Sequence, residues 1–120
     1  GSGIGGFFTP TGAGTVVAEN KEARVIHGVD HIFEMPIKAD YSLIRAWKAD
    51  HNGNLLYRQS ARNFNPIMAT ASNTTIVEVE EIVPVGSFNP DEVHTPGIFV
   101  DRIVKGEDPI KPIEILKIRK

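Results

Sequence analysis

The alternation of apolar and polar residues along the chain predicts a series of short strands. In Thr74–Val83, isoleucine and valine alternate with threonine and glutamate, which is the clearest strand pattern. Tyr41–Trp47 is nearly continuous in apolar character, as is typical of a buried central strand. Ala23–His27 and His31–Met35 predict a hairpin that turns at His27-Gly28-Val29-Asp30. Shorter strands are predicted at Leu55–Arg58, Ile98–Val104 and Ile113–Lys120.

Glycine, proline and asparagine mark the connections between these strands. Asp50–Asn54 predicts a turn centred on Asn52-Gly53. Asn65 before Pro66 predicts a helix start with Asn65 as N-cap, followed by a short helix at Ile67–Ser72. Thr15–Ala18 fits either a short strand or a first helical turn. Loops are predicted at Gly1–Gly14, Pro84–Pro96 and Gly106–Pro112.

The composition allows one small domain and excludes several kinds of partner. The chain has 120 residues with a net charge of −2, which gives no electrostatic footprint for nucleic acid or an anionic membrane. No apolar run approaches the length of a membrane span. There is no cysteine, which excludes disulfides and thiolate chemistry. Because the chain opens at Gly1-Ser2-Gly3 and reaches Phe7-Phe8 at once, we expect it to begin inside a larger domain.

Three patterns suggest chemistry, but each has a simpler interpretation. Gly1, Gly3 and Gly6 satisfy G-x-G-x-x-G, yet no strand precedes them, which favours a flexible loop. His27 and His31 have zinc-ligand spacing for a helix, but the flanking segments read as strands, which favours a turn with solvated histidines. On a strand, Glu78 and Glu80 would lie about 7 Å apart like paired catalytic carboxylates. The simpler interpretation is that alternation along the strand turns both glutamates towards solvent.

Two segments offer more specific chemistry. In Ser60–Pro66, Arg62 could hold a carboxylate or phosphate beside a helix N-terminus. The alternative is a network in which Asn65 caps the helix and Asn63 bonds to backbone, and capping explains Asn65 fully. Phe8–Thr15 is a glycine loop that could approach an acyl or phosphate group closely, or a structural turn. The residues alone leave both alternatives open.

Read together, the motifs resemble the A subunit of class I coenzyme A transferases, most of all the succinyl-CoA:3-ketoacid branch. Their order and spacing agree with the family across nearly the whole chain. The segments that carry the resemblance are Phe7–Thr15, Asp40–Asp50, Gly53–Arg58, Ala61–Pro66, Val77–Val83 and His94–Val100.

The resemblance implies an α/β fold, an open mixed sheet with flanking helices, of which residues 1–120 would be an incomplete, strand-rich half domain. It implies transfer of coenzyme A from an acyl-CoA to a short carboxylic acid through a glutamyl-CoA thioester. The nucleophilic glutamate would lie in a partner B half, so no catalytic residue is expected here. The N-terminal part of the A half would be a second partner. Coenzyme A enters as a thioester substrate, and no separate cofactor is expected.

The resemblance also suggests substrate-binding residues. Phe8, Thr9, Thr11 and Gly12 are expected near the acyl pocket, and Arg62, Asn63 and Asn65 as scaffold of that pocket or of the A–B interface. The rival interpretations are a non-catalytic assembly or ligand-binding module of the same fold, and a CoA-ester hydrolase. A bacterial protein of this family is expected in the cytoplasm and a eukaryotic one in the mitochondrial matrix.

Overall fold

The computed structural model describes residues 3–107, and the predicted strand at Ile113–Lys120 lies outside them. The chain divides into two compact units, Gly1–Lys38 and Ala39–Lys120. The sequence shows no signal for this boundary. Each unit has its own sheet, which we describe separately.

The first unit is a three-stranded antiparallel sheet. Its strands are β1 (Phe7–Thr9), β2 (Ala23–Ile26) and β3 (Val29–Glu34), in the order β1-β3-β2. The predicted hairpin is confirmed, but its turn is only His27-Gly28, with φ values of 51° and 78°. Two consecutive positive φ angles match the type I′ turn, whose twist suits a two-residue hairpin.

The prediction of a loop throughout Gly1–Gly14 is wrong at Phe7–Thr9. These residues pair with β3, and Phe8 packs edge-to-face on Phe33 with ring centroids 5.1 Å apart. The strand has only three residues and its partner is distant in sequence, so local glycine content hides it. Of the two alternatives for Thr15–Ala18, the helical one is correct: Val16–Ala18 is a 3-10 helix capped by Thr15.

The second unit is built on a four-stranded mixed sheet. Its strands are β4 (Ala39–Asp50), β5 (Leu55–Leu56), β6 (Ser72–Val83) and β7 (Arg102–Lys105), in the order β5-β4-β6-β7. β4, β6 and β7 are parallel, whereas β5 runs antiparallel to β4. One face of this sheet forms the core, which includes Ile44, Ala46, Leu55, Val77 and Val79.

The predicted central strand at Tyr41–Trp47 is confirmed as part of β4, but it is not buried on both faces. Ser42, Ile44 and Ala46 point into the core, whereas Tyr41 and Leu43 are 65% and 72% exposed. Apolar side chains therefore occupy both faces of β4, although only one face is covered by the described residues.

Two predicted strand boundaries differ from the structure. β5 ends at Leu56 instead of Arg58 because the Tyr57 amide donates to the His94 ring, 2.9 Å away, and not to a strand. β7 begins at Arg102 instead of Ile98, since Gly97–Phe99 forms a 3-10 helix.

The single α-helix among the described residues, α1, covers Asn65–Met68 and not Ile67–Ser72. Pro66 suits the first turn of this helix because the missing proline N–H is not needed there. β6 begins at Ser72, so the chain leaves the helix early to enter the strand. Further 3-10 helices lie at Gln59–Arg62 and Pro90–Glu92, the latter within the predicted loop Pro84–Pro96.

Candidate functional site

The loop that follows β1 is held by local hydrogen bonds. The Thr11 amide donates to Thr9 Oγ1 at 3.1 Å, and Thr15 Oγ1 donates to the Gly12 carbonyl at 2.7 Å. Gly12 has a φ of 85°, a conformation that side chains other than glycine rarely adopt. The hydroxyl of Thr9 is therefore engaged within the loop, whereas Thr11 lies at the surface.

Phe8 is half-buried and carries a charge over its ring. The guanidinium carbon of Arg24 lies 4.5 Å from the ring centroid, within the range of a cation–π contact. Phe8 and the Thr9–Gly12 loop, which are adjacent in sequence, thus provide an aromatic ring, hydroxyls and backbone amides in the first unit.

In the second unit, Asn65 does not cap α1, so the predicted N-cap is wrong. Phe64 is the N-cap and Asn65 is the first helical residue. The Asn65 side chain instead accepts from the Arg45 amide at 3.1 Å and donates to the Ala61 carbonyl at 2.7 Å. Asn65 therefore ties α1 to β4, while its predicted role beside the acyl pocket or the A–B interface stays a prediction.

Arg62 and Asn63 are both exposed. Arg62 forms no salt bridge with any residue between 3 and 107, so its guanidinium is available to an external carboxylate. The predicted residues fall into two groups, one in each unit: Phe8, Thr9, Thr11 and Gly12 in the first, and Arg62, Asn63 and Asn65 in the second.

The second unit also contains an open cavity of about 570 Å³ that the sequence did not predict. It is bordered by β4 and β6 on the sheet face opposite the core, and by the segment that leads into Arg62. Gln59 lies at its edge with a φ of 53°, a strained conformation for a residue other than glycine. Its main lining residues are Arg45, Trp47, Arg58, Ser60, Glu78 and Glu80.

The charges around this cavity are paired with one another. Arg58 contacts Glu80 at 2.7 Å, and Arg45 lies 3.7 Å from Glu80 and 3.8 Å from Glu78. The interpretation of Glu78 and Glu80 as residues on the face opposite Val77 and Val79 is thus confirmed. The parallel register places Arg45 beside them, and Arg58 reaches Glu80 from the segment after β5, which strand alternation alone could not reveal.

His94, in the segment His94–Val100, contacts Tyr57, in the segment Gly53–Arg58. Its Nδ1 accepts from the Tyr57 amide, and the two rings stack at 9° with centroids 6.0 Å apart. Burial lowers the pKa of His94 and nearby Arg62 lowers it further, while Glu92 raises it. Burial raises the pKa of Tyr57, against the effect of its 2.9 Å hydrogen bond with Thr95. An Nδ1 that accepts from the Tyr57 amide carries no proton, and the lowered pKa of His94 favours the neutral ring that this hydrogen bond requires.

Within the described residues, the glycine pattern at Gly1–Gly6 and the pair of histidines, His27 and His31, show no sign of a binding site. Gly6 leads directly into β1 and not into a helix, so the glycine pattern lacks the phosphate-binding context. His27 lies in the hairpin turn, and His31 Nδ1 is 2.8 Å from the Val29 carbonyl. Within residues 3–107, no group of three or more His, Cys, Asp or Glu residues is arranged to hold a metal ion. The same residues contain no helix that is long and apolar enough to cross a membrane.

Comparison with known proteins places these features in a family. The sequence profile of the family described as Coenzyme A transferase matches residues 1–106. The A subunit of the succinyl-CoA:3-ketoacid coenzyme A transferase of Helicobacter pylori is 50% identical over 99% of this chain and 51% of its own length. The A subunit of the 3-oxoadipate CoA-transferase of Pseudomonas putida is 55% identical over 87% of this chain and 45% of its own length.

A solved structure agrees with the fold. An acyl-CoA transferase from Escherichia coli O157:H7, crystallised as a thioester complex with CoA, superposes with a TM-score of 0.77. It is 17% identical, and the match covers 98% of this chain and 27% of that one. The α/β fold with an open mixed sheet is thereby confirmed. The chain spans about half the length of the curated relatives it matches. It belongs to the coenzyme A transferase family and is similar to the A subunit.

Proposed function

We propose that this chain forms part of the A subunit of an acyl-CoA:carboxylate coenzyme A transferase that accepts a short 3-keto acid. The observation that carries the proposal is the 50% identity, over 99% of the chain, with the A subunit of a succinyl-CoA:3-ketoacid transferase. Because about half of that relative is not spanned, the activity belongs to an assembly with the remainder of the A subunit, together with a B subunit.

In the proposed reaction, a glutamate of the B subunit takes coenzyme A from the acyl-CoA donor as a thioester, and the donor acid leaves. The acceptor carboxylate then takes the coenzyme A and frees the glutamate. Phe8, Thr9, Thr11 and Gly12 would form one wall of the acyl pocket. Exposed Arg62 would attract the carboxylate of the acid, and Asn63 would lie beside it, while Asn65 would hold this segment on β4. The assembly would act in the cytoplasm of a bacterium or the mitochondrial matrix of a eukaryote.

The test is transfer by a reconstituted assembly. The chain is co-produced with two Helicobacter pylori components, the missing part of the A subunit plus the whole B subunit. Transfer of coenzyme A from succinyl-CoA to acetoacetate is then measured, and we expect turnover only when all parts are present. Turnover by the isolated chain would contradict the proposal, and so would release of free coenzyme A without an acceptor, which would indicate a hydrolase. A parallel assay with 3-oxoadipate tests the acceptor.

Arg62→Ala tests the carboxylate contact in the same assembly. Loss of one charge-assisted contact is expected to raise the KM for the acceptor acid about tenfold, which corresponds to about 1.4 kcal/mol. Lys38→Ala, which removes another exposed cation, is the control and should leave the KM unchanged. An unchanged KM for Arg62→Ala would exclude Arg62 from the acid site.

A further inference from the structure

The ring of His94 uses one nitrogen within the chain and leaves the other free. Nδ1 accepts from the Tyr57 amide at 2.9 Å, so the proton of the neutral ring lies on Nε2. Nε2 has no hydrogen-bond partner between residues 3 and 107. Every buried side-chain nitrogen or oxygen in that range has a partner, so the unpartnered Nε2 reaches solvent. His94 therefore offers an N–H donor to a ligand.

The contacts of the ring fix the direction of this donor. The ring stacks on Tyr57, which is only 4% exposed and whose hydroxyl is hydrogen-bonded to Thr95 Oγ1 at 2.9 Å. The backbone amide of His94 donates to the Leu55 carbonyl at 3.0 Å, which anchors the residue on β5. A donor that is already held in place binds a ligand at a lower cost in conformational entropy.

Arg62 brings a positive charge close to this donor. The 3-10 helix Gln59–Arg62 begins two residues after Tyr57 and ends at Arg62. Burial lowers the pKa of His94 and the Arg62 guanidinium lowers it further, so the two side chains lie within electrostatic range of each other. Arg62 is exposed and forms no salt bridge among the described residues. A free guanidinium beside a free N–H is suited to an oxyanion.

The acidic neighbour of this pair, Glu92, is engaged elsewhere. Its charge acts on the pKa of His94 against burial and Arg62. Its Oε2 accepts from the Asn89 amide at 3.1 Å, as part of the capping box of the 3-10 helix Pro90–Glu92. Glu92 therefore serves its own helix and leaves both donors to a ligand.

We propose that His94 Nε2–H and the Arg62 guanidinium bind one carboxylate, that of the acid that accepts coenzyme A. One carboxylate oxygen accepts from the neutral ring and the other from the guanidinium. A phosphate of coenzyme A offers similar acceptors, but the single cation of this pair matches the single charge of a carboxylate. The inference rests on the proposed function in naming the acid, and it adds His94 to the contact assigned to Arg62.

His94→Asn separates binding from the contact with Tyr57. Asparagine Oδ1 can replace Nδ1 as the acceptor for the Tyr57 amide, but asparagine has no group in the position of Nε2. His51→Asn is the matched control, because His51 lies in the exposed turn after β4. In the assembly with the Helicobacter pylori components, titration calorimetry measures the apparent dissociation constants of acetoacetate and of acetoacetyl-CoA, which has no free carboxylate.

We expect His94→Asn to weaken the binding of acetoacetate about tenfold, because a hydrogen bond to a charged group is lost. The binding of acetoacetyl-CoA should be unchanged, and His51→Asn should alter neither constant. When His94→Asn is combined with Arg62→Ala, the loss should be smaller than the product of the two single losses. Two residues that hold the same group are energetically coupled.

A second measurement needs no variant. This chain is labelled with 15N-histidine and placed in the wild-type assembly. The Nε2 resonance of His94 should shift when acetoacetate is added, because that nitrogen carries the donated proton, whereas the resonances of His51 should not move.

Four results would overturn the inference: unchanged binding of acetoacetate to His94→Asn, independent losses in the double variant, an Nε2 resonance that does not move, or equal weakening of acetoacetate and acetoacetyl-CoA. The last would indicate a phosphate of coenzyme A as the ligand or a purely structural role. Normal coenzyme A transfer with any of these results would contradict this inference alone. The expected binding changes in an assembly that transfers no coenzyme A would leave the carboxylate site standing and contradict the proposed function.

Discussion

Asn65 holds the segment Ala61–Pro66 in position. Its side chain bonds to the amide of Arg45 and the carbonyl of Ala61, so it joins backbone groups of two segments that are distant in sequence. An unpaired amide away from water costs about 1–3 kcal/mol. The segment that carries Arg62 is therefore fixed to the sheet through this side chain.

We predict that Asn65→Ala lowers the free energy of unfolding by about 1–3 kcal/mol, because both hydrogen bonds are lost. Asn65→Asp keeps the acceptor for Arg45 and should lose less. Urea denaturation measures both. Asn63→Ala, at an exposed position two residues earlier, is the control and should change stability by less than about 0.5 kcal/mol. Equal effects at the two positions would contradict the assigned role.

His94 gives the fold a dependence on pH. Its folded pKa is lowered by burial and by Arg62, against the opposite effect of Glu92, so the unfolded chain binds a proton more readily than the folded one. The stability that neutral His94 contributes is fully present above the unfolded pKa of about 6.5 and is lost as the pH falls through the folded value. Protonation would also remove the acceptor for the Tyr57 amide.

We predict that the free energy of unfolding falls between pH 7 and pH 5, and that His94→Gln shows a smaller fall because its side chain does not titrate. Urea denaturation at each pH measures the difference between the two proteins. His51→Gln serves as the control, since His51 lies in an exposed turn. If the free energy of unfolding falls equally with pH in the wild-type chain and in His94→Gln, His94 is not the cause of the pH dependence.

At the level of elements, the segment His94–Gly97 packs closely against the turn that follows β4. A β-carbon on Gly97 would lie 2.0 Å from the Asn52 carbonyl oxygen, a backbone atom with little freedom to move. The Gly97 amide also donates to Asn54 Oδ1 at 3.0 Å. The close approach therefore leaves no room for a side chain at Gly97, the first residue of the 3-10 helix that precedes β7.

Gly97→Ala is accordingly expected to destabilise the chain by about 1–3 kcal/mol through overpacking. Gly5→Ala is the matched control, because a β-carbon there meets no atom within 4 Å. Thermal unfolding compares the two. A Gly97→Ala chain as stable as Gly5→Ala would show that the two turns are not in contact.

The elements that the sequence predicts well are those with strong local signals. The hairpin follows from His27-Gly28 between two apolar runs, and β6 follows from alternation alone. β1 and the start of β7 depend on partners far away in the sequence, so local patterns miss or misplace them. Asn65-Pro66 marks the helix start to within one residue, but only the position of β4 shows that the Asn65 side chain bonds there and does not cap.

The substrate-binding residues that the resemblance suggests, Phe8, Thr9, Thr11 and Gly12 with Arg62, Asn63 and Asn65, remain predictions. The cavity beside Gln59 was not predicted, because it arises where the register of β4 with β6 brings Arg45 near Glu78 and Glu80. No local pattern specifies a parallel register, and nothing in the residue type of Gln59 indicates a positive φ. Such convergence becomes visible only in three dimensions.

At the level of the whole molecule, each unit has its own sheet, and the two sheets differ in how they are connected. The first joins β2 and β3 through a two-residue turn. The second joins β4 and β6 through a crossover that contains β5 and α1. In the second unit, most of the buried apolar residues therefore depend on contacts between segments that are distant in sequence.

The parallel pairing of β4 with β6 has a consequence for synthesis on the ribosome. β4 ends at Asp50 and β6 ends at Val83, 33 residues later. At roughly 5–20 residues per second, a completed β4 waits about 2–7 s before its long neighbour exists. During that time Leu43 and Ile44, on opposite faces of the strand, are both without cover. The hairpin of the first unit has no such delay, because only His27 and Gly28 separate its two strands. The second unit therefore has the longer interval before its central strands can pair.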